Sequence, residues 1–168
     1  KQDLLIMAVK KVSEEIDTSI SLEIVGEYHD KNKRYFKYLK DLSKDKRSNL
    51  EINLSKNVSF EMIQSYYQRA NLFVLPSVNE PASISILEAL SWGVLSICSD
   101  QCGTKGYIDN SYSGYIFPAN DLNRLSELII HSIKKNDKTS NKEISRRLAK
   151  LTCENVFENY LSNIIKKF

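Results

Sequence analysis

Two glutamates, Glu80 and Glu88, bracket the start of an apolar run in SVNEPASISILEALSWG, Ser77 to Gly93, with seven residues (81–87) between them. A helix starting near Ser83 would turn the backbone N–H groups of Ser83, Ile84 and Ser85 outward at the positive end of its dipole. That arrangement suits a phosphate. Glu88 falls one turn further on, among Ile84, Ile86, Leu87, Ala89, Leu90 and Trp92. A carboxylate in such company needs donors, and the two hydroxyls of a ribose would supply them. Glu80 sits on the other side of the phosphate position, where a sugar joined through a diphosphate would lie. Spacing alone leaves a plainer reading open: a solvated or lysine-paired Glu88, and an ordinary loop charge at Glu80.

The elements that must position these groups are legible in the hydrophobic pattern. Leu4, Leu5, Ala8, Val9, Val12 and Ile16 mark one face of a helix. Short apolar runs at 21–25, 50–54, 71–76, 94–98 and 115–117 predict strands, and the run at 71–76 ends on Pro76. Ser59 is a candidate N-cap for a helix carrying Met62, Ile63, Tyr66 and Tyr67. Residues 31–47 hold eight Lys or Arg against two Asp, with aromatics interleaved, and predict a basic amphipathic helix. Such a helix invites a membrane or lipid-phosphate contact, and its bland reading is a solvated face. Leu122, Leu125, Leu128, Ile129 and Ile133 mark another helix. A polar break follows, and 138–168 reads as closing helices ending in the run Val156 to Phe168.

Strands that are apolar throughout, alternating with helices, predict an α/β fold: a Rossmann-like, doubly wound parallel sheet covered on both faces. Ligands of such sheets sit beyond the carboxyl ends of the strands. Three turns therefore form the candidate wall: Gly26 to Asp30, Ser55 to Ser59, and Ser77 to Ser85.

Composition removes other classes. With 168 residues, 42% hydrophobic and 27% charged, the chain reads as one soluble domain, and a net charge of +3 gives no case for nucleic acid. No run approaches the ~20 apolar residues of a membrane span. Cys98, Cys102 and Cys153 form no disulfide framework and read as inert thiols rather than metal ligands. Tyr66, Tyr67 and Trp92 suit helix-to-sheet packing, and His29 reads as a loop histidine. The chain opens in mid-helix at Lys1-Gln2-Asp3-Leu4, which reads as a fragment.

Taken in series, LEIVGE, VSFEMIQSYYQRANLFVLPS, NEPASISILEALSWGVLSICSD, GYIFPANDLNRLSELI and ENVFENYLSNI resemble the C-terminal domain of glycosyltransferase family 4. These are retaining GT-B enzymes that use sugar nucleotides. The resemblance covers nearly the whole chain, and its E-x7-E motif is matched by Glu80 and Glu88. It implies that Glu88 holds the ribose hydroxyls and that Glu80 contacts the donor sugar as the catalytic glutamate. Amides from Ala82 through Ser83, Ile84 and Ser85 would hold the donor, and the base would lie against Gly26, Lys56, Asn57 and Val58.

The resemblance implies further that no metal and no cofactor is needed, and that residues 1–168 are one half of a GT-B enzyme. The N-terminal acceptor domain, the first strand and a phosphate-binding lysine would lie upstream, with Lys1 as a possible substitute for that lysine. The implied reaction moves a hexose or N-acetylhexosamine, from UDP before GDP-mannose, to a glycan or lipid-linked acceptor. Bacterial surface polysaccharide or O-antigen synthesis in the cytoplasm is the implied setting, with peripheral contact at the inner membrane face as an option. The alternative is a non-catalytic sugar-nucleotide-binding or assembly module of the same fold. Departures from the family pattern are Pro81-Ala82-Ser83 after the first glutamate, Tyr28 at a turn glycine, and Gly106 where a glutamate is common. Ser83 can stand in for a glycine only if its backbone avoids positive φ.

Overall fold

The computed structural model describes residues 1–108, 112–135 and 143–144. The polar break beyond Lys135, the closing helices of 138–168 apart from Glu143 and Ile144, and Cys153 lie outside the described residues.

Apolar spacing at the helical period produces α1 (Gln2–Glu15), which buries Leu4, Leu5, Ala8, Val9 and Val12. Among the described residues four further α-helices follow: α2 (Lys33–Leu42), α3 (Phe60–Arg69), α4 (Ile84–Ser91) and α5 (Leu122–Lys135). The strands are β1 (Ile20–Gly26), β2 (Leu50–Lys56), β3 (Leu72–Leu75), β4 (Leu95–Ser99) and β5 (Gly114–Phe117). The expected helix over 31–47 is shorter: a 3-10 turn, Asp30–Asn32, leads into α2, which stops at Leu42.

All strand pairs are parallel. Among the described residues the sheet has two hydrogen-bonded pieces, β1-β2 and β3-β4-β5. One continuous core unites them. Leu4, Leu5, Val9 and Val12 of α1 join Leu125, Leu128 and Ile129 of α5 against Leu50, Ile97 and Phe117, with Ile20, Leu22, Leu72 and Val74 alongside. Alternate residues of β3 face the other way. Phe73 and Leu75 pack with Ile86 and Leu90 of α4, and with Cys98 and Cys102. Helices therefore cover both faces, as the doubly wound reading requires. The expectation of uniformly apolar strands fails for β1 and β2. Their α3-side face is polar, and Asn53 donates to both Glu23 and Glu51 there.

Helix ends are fixed locally. The Ser59 hydroxyl accepts from the Met62 amide and starts α3. At the end of α4, Gly93 takes φ 74°. Its N–H donates to the Leu90 carbonyl, and the Val94 N–H donates to that of Ala89. This Schellman closure turns the chain directly into β4. Trp92, assigned to packing from its spacing, caps α4 and is 38% exposed.

Arg47 ties the loop before β2 to α1. Its guanidinium donates to Asp45 from Nε and Nη2, to the Lys10 carbonyl, and to Glu14. Those bonds hold the Asp45 carboxyl well below the usual carboxylate range. A depressed folded-state value stabilises the fold above the ordinary value near ~4 and loses that contribution as pH falls through the depressed value. Asp45→Asn is expected to lower stability by about 1–2 kcal/mol at neutral pH. Thermal unfolding followed from pH 7 into the acid range should show the two proteins converging as pH falls.

Candidate functional site

The candidate residues lie at the carboxyl ends of the strands, where β3 runs into Pro76 and the loop to α4. Asn79 turns this loop with φ 57°, a conformation that asparagine tolerates better than most residues. Glu80 then forms a parallel bridge with Cys102. Its N–H donates to the Gln101 carbonyl at 3.2 Å, and its carbonyl accepts from the Gly103 N–H at 2.8 Å. Ser99, fully buried, donates to the Ser77 carbonyl and anchors the same two loops. The approach at Gly103 is so close that a Cβ there would lie 1.9 Å from the Pro81 carbonyl oxygen. The backbone of Glu80 is thus set by the loop after β4.

The helix start meets the condition set for it. Ser83 has φ −86°, so serine replaces glycine here without strain. Its side chain pairs with the Ser85 hydroxyl at 2.7 Å and does not cap α4. Among the described residues, the amides of Ser83, Ile84 and Ser85 have no protein acceptor. The Ala82 amide differs, for it donates to the Glu80 carboxylate at 3.3 Å. Amides without acceptors at a helix start are the kind of group that attracts an anion.

Glu80 and Glu88 are held by different neighbours. Glu80 lines a cavity of ≈ 440 Å³ with Lys1, Asp3, Tyr35, Ser77 and Val78. Tyr35 reaches from α2 to the start of α1, where its hydroxyl meets Asp3 Oδ1 at 3.0 Å and accepts the Asp3 N–H at 3.4 Å. Glu88 lies away from that cavity, half-buried on the α3 side, and accepts the Tyr67 hydroxyl on Oε2 at 2.9 Å. Burial and the Glu88 carboxylate push the Tyr67 phenol above its ordinary range, so it remains a donor. Tyr67 also reaches the Ser85 carbonyl, and its neighbour Tyr66 meets the Ser55 hydroxyl at 3.2 Å. Two adjacent tyrosines therefore fasten the end of β2 to the start of α4.

The proposed base wall forms a third group. Asn57 takes φ 52°, its N–H donates to the Gly26 carbonyl at 3.0 Å, and its side chain accepts the Tyr28 N–H at 2.8 Å. Gly26 and Asn57 are therefore joined, with the half-buried Val58 beside them. The Lys56 ammonium lies 4.5 Å from the Tyr28 ring centroid, with the Phe36 ring beyond it at 5.8 Å. His29 pairs with Glu27 in the same turn. Cys98 and Cys102 are buried, and desolvation first, then Cys102, pushes the Cys98 thiol up to about 12. A thiol in that state is a poor nucleophile, which agrees with the inert reading.

Residues 1–150 match the model of the family described as glycosyl transferases group 1. The chain belongs to that family. A glycogen synthase from Clostridium kluyveri is 27% identical over 111 residues, covering 63% of this chain and 22% of that protein. WaaG, a glycosyltransferase involved in lipopolysaccharide biosynthesis, superposes with a TM-score of 0.68 at 22% identity. The match covers 97% of this chain and 42% of WaaG. The pneumococcal O-GlcNAc transferase GtfA, solved with UDP and GlcNAc, gives 0.68 at 16% identity, over 98% of this chain and 32% of that one. The fold is the Rossmann-like α/β arrangement of GT-B glycosyltransferases, and the chain spans less than half the length of each of these relatives.

Sequence reasoning missed Tyr67 and Gly103. The phenol of Tyr67 was hidden in a helical packing pattern, and its partner lies 21 residues away. No local pattern at Gly103 signals the approach of Pro81. Gly103→Ala is expected to displace the Glu80 loop and cost about 1–3 kcal/mol, read by thermal unfolding. Tyr67→Phe keeps the ring against Phe73 and loses only the hydroxyl. Thermal unfolding should then show a loss of about 1 kcal/mol, from the hydrogen bond to Glu88.

Proposed function

We propose that this chain is the donor-binding half of a retaining glycosyltransferase. It takes a hexose or N-acetylhexosamine from a UDP donor, with GDP-mannose as the rival, to a glycan or lipid-linked acceptor. The observation that carries the reading is that Glu80 and Glu88 flank three amides at the start of α4 that have no acceptor among the described residues. In this reading the diphosphate sits on the amides of Ser83, Ile84 and Ser85. Glu88, steadied by Tyr67 on one oxygen, offers the other to the ribose. Glu80 meets the sugar hydroxyls, and Gly26, Asn57 and Val58 flank the base.

The chemistry asked of these groups is charge stabilisation. As the anomeric bond to the diphosphate lengthens, negative charge grows on the leaving oxygens beside fixed backbone dipoles. Glu80, on the sugar side, favours the positive charge developing at the anomeric carbon. No metal or cofactor enters this reading. Family membership and the UDP and GlcNAc held by GtfA support the donor class. WaaG, involved in lipopolysaccharide biosynthesis, supports a role in surface polysaccharide synthesis, and the family resemblance implies retention.

The acceptor domain and the phosphate-binding cation belong, in this reading, to a segment upstream of Lys1. A strand from that segment would fill the sheet between β1 and β3. Both have an unpaired edge among the described residues, and both pack on α1. A donor screen of the full-length protein, monitored by nucleotide release, tests the reading. Glu88→Ala should weaken UDP binding by about tenfold or more, and Glu80→Gln should cut turnover at least ~100-fold while UDP still binds. UDP binding without turnover on any donor would favour the binding-module alternative. Absence of nucleotide binding would sink both.

A further inference from the structure

We propose that α2 and the outer edge of β2 form a docking surface for an anionic lipid bilayer. Lys33, Lys37 and Lys40 recur along α2 at spacings of four and three, which places them within about 60° of one another on one line of the helix. Lys44 extends that line just beyond the helix end, and all four are exposed. Only one carboxylate stands among them, Asp41, and Lys44 occupies it at 2.7 Å. No ion pair engages Lys31, Lys33, Arg34, Lys37 or Lys40 among the described residues.

A solvated charged face would end there, but this one borders an apolar groove. Phe36, Ile52 and Leu54 line a groove of ≈ 480 Å³ together with Lys40, Lys44 and Lys56. It opens along β2, whose only strand partner among the described residues is β1. Ammonium groups around an apolar floor match the order of a membrane interface: phosphate outside, hydrocarbon within. A nucleic acid would gain nothing from that apolar floor, and a small soluble anion would not need the line of lysines leading to it. The surface owes nothing to the donor reading, because its residues are distinct from Glu80, Glu88 and the amides of α4. Lipid binding and nucleotide binding can therefore fail separately.

The test is flotation of the full-length protein with vesicles of phosphatidylcholine alone, or with about 30 mol% phosphatidylglycerol added. The protein is expected to bind only the anionic vesicles, and raising NaCl from about 0.1 to 0.5 M should release most of it. Combined Lys33→Glu, Lys37→Glu and Lys40→Glu should weaken that binding at least roughly tenfold, with unchanged thermal stability and UDP affinity. Equal binding of parent and variant to anionic vesicles would overturn the proposal, as would no binding of the parent. Glycerol phosphate that binds the groove as tightly without a bilayer would overturn it too, by showing a soluble-anion site.

Discussion

Glu80 is held by its backbone before its carboxylate meets any ligand. The two hydrogen bonds of the Glu80–Cys102 bridge make the loop after β3 a continuation of the loop after β4. Because β3 and β4 are paired in parallel register, their ends arrive side by side, and the bridge carries that order past the strand ends to Glu80 and Cys102. Gly103 is the cost of this closeness, since any side chain there would strike Pro81. The start of α4 follows directly from the fixed loop, so the position of its free amides is inherited from the sheet. Preorganisation of this kind is what lets amides stabilise charge without first reorienting.

The second constraint acts from the opposite side. Tyr66 and Tyr67 are adjacent, yet one reaches the end of β2 and the other reaches α4. Along α3 they diverge by about 100°, enough to span two neighbouring structures. α3 thus links the turn that carries Asn57 to the helix that carries Glu88. The two glutamates of the motif are therefore supported independently. Loss of one support should leave the other carboxylate in place.

Much of this architecture was legible in the residue pattern. The period of α1 and α5, the Ser59 cap, the proline ending β3 and the fold class all followed from local chemistry. What escaped was set by partners distant in sequence. Tyr67 reads as one more aromatic on an amphipathic helix until Glu88 is seen beside it. Gly103 reads as a loop glycine until Pro81 approaches. A strand's residues reveal that it is a strand but not its neighbours, so the division into β1-β2 and β3-β4-β5 was invisible. Asn57 and Asn79 are different, because asparagine between a strand and a helix is a readable signal for positive φ. The polar face shared by β1 and β2 was also readable, in the alternation of Ser21 and Glu23 and of Glu51 and Asn53.

The central claim is that the start of α4 carries the diphosphate, with a glutamate on either side. A crystal structure of the full-length protein with UDP tests this most directly. The account predicts the diphosphate within hydrogen-bonding distance of the Ser83, Ile84 and Ser85 amides, and the ribose hydroxyls on the Glu88 oxygen that Tyr67 leaves free. A nucleotide bound elsewhere, with those amides still facing solvent, would contradict it.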